Sequence, residues 1–103
     1  MTENNSRQPR ALITGGGAGL GEAMARAFAS DGFRVMVTDR DAERAQSVAE
    51  SIGDGASWFA MDITDDDAWI ELVAYVKKKF GSLDVLVNNA GVAVGGTLEE
   101  TSL

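Results

Sequence analysis

The sequence predicts an α/β fold built on a parallel sheet, and three observations carry that reading. Four short apolar runs alternate with three stretches of helical periodicity, the pattern of βαβ units. Each helical stretch is closed by glycine, as helix ends commonly are. Five of the twelve glycines crowd into residues 15–21, between the first run and the first helix. No internal repeat, low-complexity tract or interdomain linker interrupts the alternation, so one small domain is expected.

The elements follow in order. Ala11-Leu12-Ile13-Thr14 is the first strand. Leu20, Ala23, Met24, Ala27 and Phe28 recur at i, i+3, i+4, i+7 and i+8, the apolar stripe of a helix, which Asp31-Gly32 ends. Phe33 to Thr38 is the second strand. Ala45, Val48, Ala49 and Ile52 mark the second helix, closed by Gly53-Asp54-Gly55. Ser57 to Met61 is the third strand. Trp69, Leu72, Val73, Val76 and Phe80 give the third helix, with Thr64 its expected N-cap and Asp65, Asp66 and Asp67 complementing its positive end. Gly81 ends it, and Leu83 to Val87 is the fourth strand.

Composition narrows the function. A chain of 103 residues with 45% hydrophobic content suits a globular domain. No apolar run approaches the ~18 residues of a membrane span. Residues 1–9 are polar, lack the apolar core of a secretory signal and are expected to form a flexible tail. The absence of cysteine agrees with a cytoplasmic setting, and the further absence of histidine argues against a transition-metal site. A net charge of −7 disfavours nucleic-acid binding. It leaves room for one phosphorylated small molecule at a local site.

Such a site is offered by Thr14-Gly15-Gly16-Gly17-Ala18-Gly19-Leu20-Gly21. A bound phosphate needs backbone N–H groups aimed at it, no side chains in the way and a positive helix end beneath. Glycines permit the close approach. A flexible turn would also be glycine-rich, but its position between strand and amphipathic helix favours the phosphate. The second strand then ends at Asp39, 18 positions beyond Gly21. A carboxylate there can accept from both ribose hydroxyls of an adenosine. It could equally cap the following helix, and the two roles are compatible.

These residues resemble the short-chain dehydrogenases/reductases. Residues 14–21 fit that family's Thr-Gly-x-x-x-Gly-x-Gly, Asp62-Ile63 follows the third strand, and Asn88-Asn89-Ala90-Gly91 follows the fourth, preceded by Gly81 to Val87 in the family's Gly-x-Leu-Asp-x-Leu-Val pattern. The resemblance covers the chain from about residue 10 onward. It implies the first half of a Rossmann-type doubly wound sheet, strand order 3-2-1-4, binding a nicotinamide dinucleotide; the Asp39 carboxylate, which would repel a 2′-phosphate, is expected to favour NAD over NADP. It further implies that Gly15, Gly17, Ala18, Gly19, Leu20 and Gly21 hold the pyrophosphate and that Asp39 holds the adenosine ribose. Asp62 and Ile63 would contact adenine, and Asn88, Ala90 and Gly91 would lie beside the nicotinamide ribose. Asn88 and Asn89 could also serve only to satisfy loop backbone groups.

Family members transfer protons with a Tyr-x-x-x-Lys pair, and Tyr75 and Lys79 have that spacing. Family placement puts the catalytic pair after Asn-Asn-Ala-Gly, however, and this pair comes before it, on the third helix. At 100° per residue, Lys79 lies about 70° and Tyr75 about 110° from the centre of the apolar stripe. There, long side chains snorkel along the flank, and the pair is expected to be structural. Residues 10–103 are therefore expected to form a half-domain that stops before the catalytic segment. The parent would interconvert a small-molecule alcohol and ketone, partnering neither nucleic acid nor membrane and assembling as a homo-oligomer. The isolated chain is expected to be inactive and to self-associate through an open fourth strand. The alternatives are a non-catalytic dinucleotide-binding or interaction module and an inert truncation.

Overall fold

In the computed structural model, which describes residues 8–89, strands and helices alternate as the sequence predicts. They are β1 (Arg10–Thr14), α1 (Gly19–Ser30), β2 (Arg34–Asp39), α2 (Ala42–Ile52), β3 (Ala56–Ala60), α3 (Asp66–Lys79) and β4 (Val85–Val87). The strands form one parallel, Rossmann-like sheet in the order β3-β2-β1-β4.

Side chains alternate across the strands. Ala11, Ile13, Val35 and Val37 pack beneath α1 and α2, against Ala25, Ala45, Val48 and Ala49. Leu12 and Met36 point the other way and meet Leu72, Val76 and Phe80 at the α3 side. Burial on both faces explains why β1 and β2 read as nearly continuous apolar runs. Val73 departs from the expected α3 stripe: it is 51% exposed while Leu72 and Val76 are buried.

Boundary differences have local causes. Phe33 belongs to the turn leaving α1, where its N–H donates to the Phe28 carbonyl at 3.0 Å and its ring meets Phe28 edge-on. At the start of β4, the Asp84 carboxylate accepts from the Arg10 N–H at 2.8 Å and the Asp84 N–H donates to the Arg10 carbonyl at 2.9 Å. The regular strand begins just after it and has three residues. Asp65, not Thr64, caps α3: its carboxylate accepts from the Asp67 and Ala68 N–H groups at 3.0 and 3.3 Å. Thr64 instead turns back to Asp62.

Among the described residues, β4 is an edge strand paired with β1. Leu86 is 55% exposed, and an apolar groove of about 350 Å³ opens beside it, lined by Leu12, Trp69, Leu72, Val76, Leu83 and Leu86 among others.

Candidate functional site

The carboxyl ends of β1, β2 and β4 converge on the glycine turn, and hydrogen bonds from all three sides set its shape. Thr14 is buried, and its hydroxyl donates to Asn88 Oδ1 at 3.0 Å, tying the ends of β1 and β4 together. Asn89 Nδ2 donates to the Gly15 carbonyl at 3.3 Å. From the β2 side, the Thr38 carbonyl accepts from the Gly16 N–H and Asp39 Oδ2 from the Gly17 N–H, both at 3.0 Å.

Close packing requires the glycines. A Cβ at Gly21 would lie 2.0 Å from the Gly15 carbonyl oxygen and 2.7 Å from Asn89 Nδ2. One at Gly17 would lie 2.8 Å from Arg44 Cβ and 2.9 Å from Asp39 Oδ2. Gly15 itself has a φ of 64°, the left-handed region that favours glycine.

The turn delivers the chain into α1 with a positive end that no side chain caps among the described residues. Asp41 and Asp65 cap α2 and α3 through their carboxylates, whereas the N-cap of α1 is Ala18, in extended conformation and with no side-chain cap. The first N–H groups of a helix have no carbonyl within it to donate to. With the helix dipole behind them they complement an anion. Glu22, the acidic residue of that first turn, is paired with Arg26 at 2.8 Å. Leu20 is 65% exposed beside the helix end, placing an apolar side chain at the site's mouth.

Asp39 does not cap α2, since Asp41 takes that role by accepting from the Arg44 N–H at 3.2 Å. The two Asp39 oxygens accept one backbone N–H each, from Gly17 and Asp41 at 3.0 Å. An ionised carboxylate accepts about four hydrogen bonds, so each oxygen retains capacity for a hydroxyl donor. The Met61 N–H donates to the Asp39 carbonyl at 3.1 Å, bringing the segment after β3 alongside. There Asp62 Oδ1 accepts from both the Thr64 N–H and hydroxyl, at 2.9 and 2.7 Å. These two bonds, the backbone one first, hold its carboxyl below the ordinary 3.8, and the Arg40 charge adds a smaller push in the same direction. The Ile63 carbonyl accepts from Trp69 Nε1 at 2.7 Å.

The expected residues from Gly15 to Gly21, with Asp39 and Asn88, thus share one surface, and Asp62 and Ile63 border it. Ala90 and Gly91 lie outside the described residues. Sequence reasoning did not find the Asn89–Gly15 or Trp69–Ile63 bonds, because each joins a side chain to a carbonyl whose position depends on the folded turn. The Asp41 cap left a signal in its Asp-x-x-Arg spacing, and Asp41 and Arg44 pair at 3.4 Å.

Tyr75 and Lys79 lie elsewhere. The Tyr75 ring packs on Phe59 at 5.1 Å between centroids, and the Lys79 ammonium sits 5.8 Å over the Tyr75 ring. Just beyond Lys79, the Phe80 ring lies 4.7 Å from the Arg34 guanidinium. Arg34 begins β2, so this end of α3 adjoins the amino ends of the strands, away from the glycine turn.

Residues 9–103 match the family model for the short chain dehydrogenases. Serine 3-dehydrogenase of Agrobacterium fabrum is 44% identical over 84 residues, covering 82% of this chain and 34% of that protein. An NADP-dependent (R)-specific alcohol dehydrogenase of Lentilactobacillus kefiri is 36% identical over 94 residues, 89% of this chain and 37% of that one. A solved 3-ketoacyl-(acyl-carrier-protein) reductase from Brucella melitensis, complexed with NADH, superposes with a TM-score of 0.74 at 44% identity. That match covers 76% of this chain and 32% of the reductase. The chain spans about a third of the length of the curated relatives it matches. On its sequence motifs, its sheet order and these matches, the chain belongs to the short-chain dehydrogenase family.

Proposed function

We propose that residues 10–103 form the NAD(H)-binding part of an oxidoreductase that interconverts an alcohol and a ketone. The observation that carries this reading is the uncapped end of α1, presented by a turn in which Gly21 leaves no room for a side chain. The N–H groups at Gly19, Leu20 and Gly21 would receive the pyrophosphate, with Gly15, Gly17 and Ala18 shaping the approach. Asp39 would take the adenosine ribose hydroxyls, and Asp62 and Ile63 would border the adenine. Asn88, with Ala90 and Gly91, would lie toward the nicotinamide ribose. When bound, the nicotinamide supplies the hydride acceptor or donor. Proton transfer and selection of the small-molecule substrate fall to residues outside the segment that matches these motifs. We read the setting as cytoplasmic and the assembly as a homo-oligomer, with the exposed β4 edge a surface that needs covering.

The site's charges favour NAD over NADP. Asp39 would face a 2′-phosphate with a like charge. Gly17 brings no cation, and Arg44 already pairs with Asp41 at 3.4 Å. Arg40 offsets part of this repulsion. Calorimetric titration of the protein as its gene encodes it should give at least ~10-fold tighter binding of NADH than of NADPH, the scale of one juxtaposed like charge. Equal or tighter NADPH binding overturns the assignment.

A further inference from the structure

We infer that Trp69 is a positioning residue for base recognition, acting through the Asp62–Ile63 segment. The inference rests on the dinucleotide reading above and adds to it a residue remote from the family's motifs.

The segment between β3 and α3 is short and mostly exposed, yet side chains hold it at three points, and the Asp65 N–H donates to the Asp62 carbonyl at 3.0 Å. Asp62 Oδ1 closes onto Thr64 through two hydrogen bonds. Asp65 caps α3 through two more. Between them, the Ile63 carbonyl receives the Trp69 indole N–H at 2.7 Å, and this bond is part-buried. The first two ties are local to the segment. The third comes from the first turns of α3, and the Trp69 indole also lines the apolar groove between α3 and β4. The segment's backbone is thereby referred to the body of the domain.

That matters because base identity is read by orientation. Adenine presents an amino donor beside a ring-nitrogen acceptor, whereas hypoxanthine presents a carbonyl beside an N–H, the reverse pattern. Both Thr64 bonds fall on Asp62 Oδ1, so Oδ2 is the atom placed to accept from an amino group. The Ile63 backbone supplies the complementary donor. The Ile63 carbonyl and the Thr64 N–H belong to one peptide unit, so its rotation would carry away the N–H that fixes Asp62 Oδ1 and shift the Asp62 carboxylate, while leaving the pyrophosphate turn intact. The Trp69 bond opposes that rotation. Phenylalanine at 69 keeps most of the ring packing and removes the N–H.

The test compares NADH with its hypoxanthine analogue, by calorimetry, on the wild-type and Trp69→Phe proteins as encoded. Wild type should prefer NADH. In Trp69→Phe the NADH dissociation constant should rise by ~3–10-fold, the scale of one neutral hydrogen bond. Binding of the hypoxanthine analogue should change by less than ~2-fold, so that base preference collapses. Equal weakening of both ligands would mean that Trp69 only supports the fold, and would overturn the inference. So would a wild-type protein that binds both ligands equally, although dinucleotide binding would stand. A wild-type protein that binds neither overturns the binding reading and the inference together. Should Trp69→Phe fail to fold, hydrogen exchange of the Trp69 indole N–H in wild type decides. It should slow on saturation with NADH more than with the hypoxanthine analogue, and an equal response to the two overturns the proposal.

Discussion

Replacing Gly21 by alanine tests the turn at its tightest point. Two effects oppose each other. Gly21 lies within α1, where alanine is intrinsically better than glycine by about 1 kcal/mol. Against this, the new Cβ would sit 2.0 Å from the Gly15 carbonyl oxygen, where real Cβ atoms essentially never come within 3.0 Å of another such atom. Relief requires a shift of about 1 Å in backbone rather than in a flexible side chain, and overpacking of that kind costs about 1–3 kcal/mol. The same Cβ would displace Asn89 Nδ2, 2.7 Å away, from its bond to Gly15, a further loss of about 1 kcal/mol. The clash wins, and a net destabilisation of about 1–3 kcal/mol is expected from these opposing contributions. A turn moved this far also misdirects its N–H groups, so NADH affinity should fall at least ~10-fold, the scale of one lost charge-assisted bond. Urea unfolding and NADH calorimetry read the two effects. Gly19→Ala is the control: its Cβ would meet nothing within 4 Å among the described residues, and only its φ of +58° is unfavourable, at about 1–2 kcal/mol. If Gly21→Ala is within about 0.5 kcal/mol of wild type and binds NADH as tightly, the packing argument is wrong.

Other expectations concern single groups. In the full-length parent enzyme, Tyr75→Phe should leave turnover nearly unchanged and stability within about 0.5 kcal/mol, because the ring packs on Phe59 away from the site; a hundredfold fall in turnover with the fold intact would contradict its placement. Thr38→Val should stabilise by about 1 kcal/mol in urea unfolding, since the Thr38 hydroxyl is buried and has no hydrogen-bond partner among the described residues. A loss of stability would show that the hydroxyl is satisfied. Asp62 has its folded pKa lowered, so its contribution is complete above the ordinary 3.8 and is lost as pH falls through the lower folded value. Thr64→Val removes the hydroxyl bond and keeps the backbone one, so an NMR titration should find the Asp62 pKa raised toward 3.8 but still below it; no change would refute the assigned cause.

Much of this was legible because the determining signals are local. Apolar periodicity located each helix and strand of the described residues, and glycine marked the helix ends. The strand order followed from the resemblance, and the hydrogen-bonded ladders agree with it. Where expectation and structure differ, tertiary geometry decided. Thr64 and Asp65 are both good caps, and the choice fell to Asp65 because Thr64 is engaged by Asp62. Val73 has helical spacing for the core, yet the sheet beside it ends at β4 among the described residues and leaves it half exposed. Tyr75 and Lys79 show the converse: the spelling of a catalytic pair means nothing until the helix carrying it is placed. In the site, Asp39 could be foreseen from its distance beyond Gly21. Its clasp of the Gly17 N–H could not, because that contact exists only once β1 and β2 pair in register.

The central claim is that a dinucleotide binds across the glycine turn rather than in the apolar groove beside β4. Amide chemical-shift mapping of the encoded protein during titration with NADH tests it most directly. The account predicts the largest shifts at Gly19, Leu20 and Gly21, with a second group at Asp39, Arg40 and Ile63. Shifts concentrated at Leu72, Val76, Leu83 and Leu86, with Gly19 to Gly21 unmoved, would contradict it.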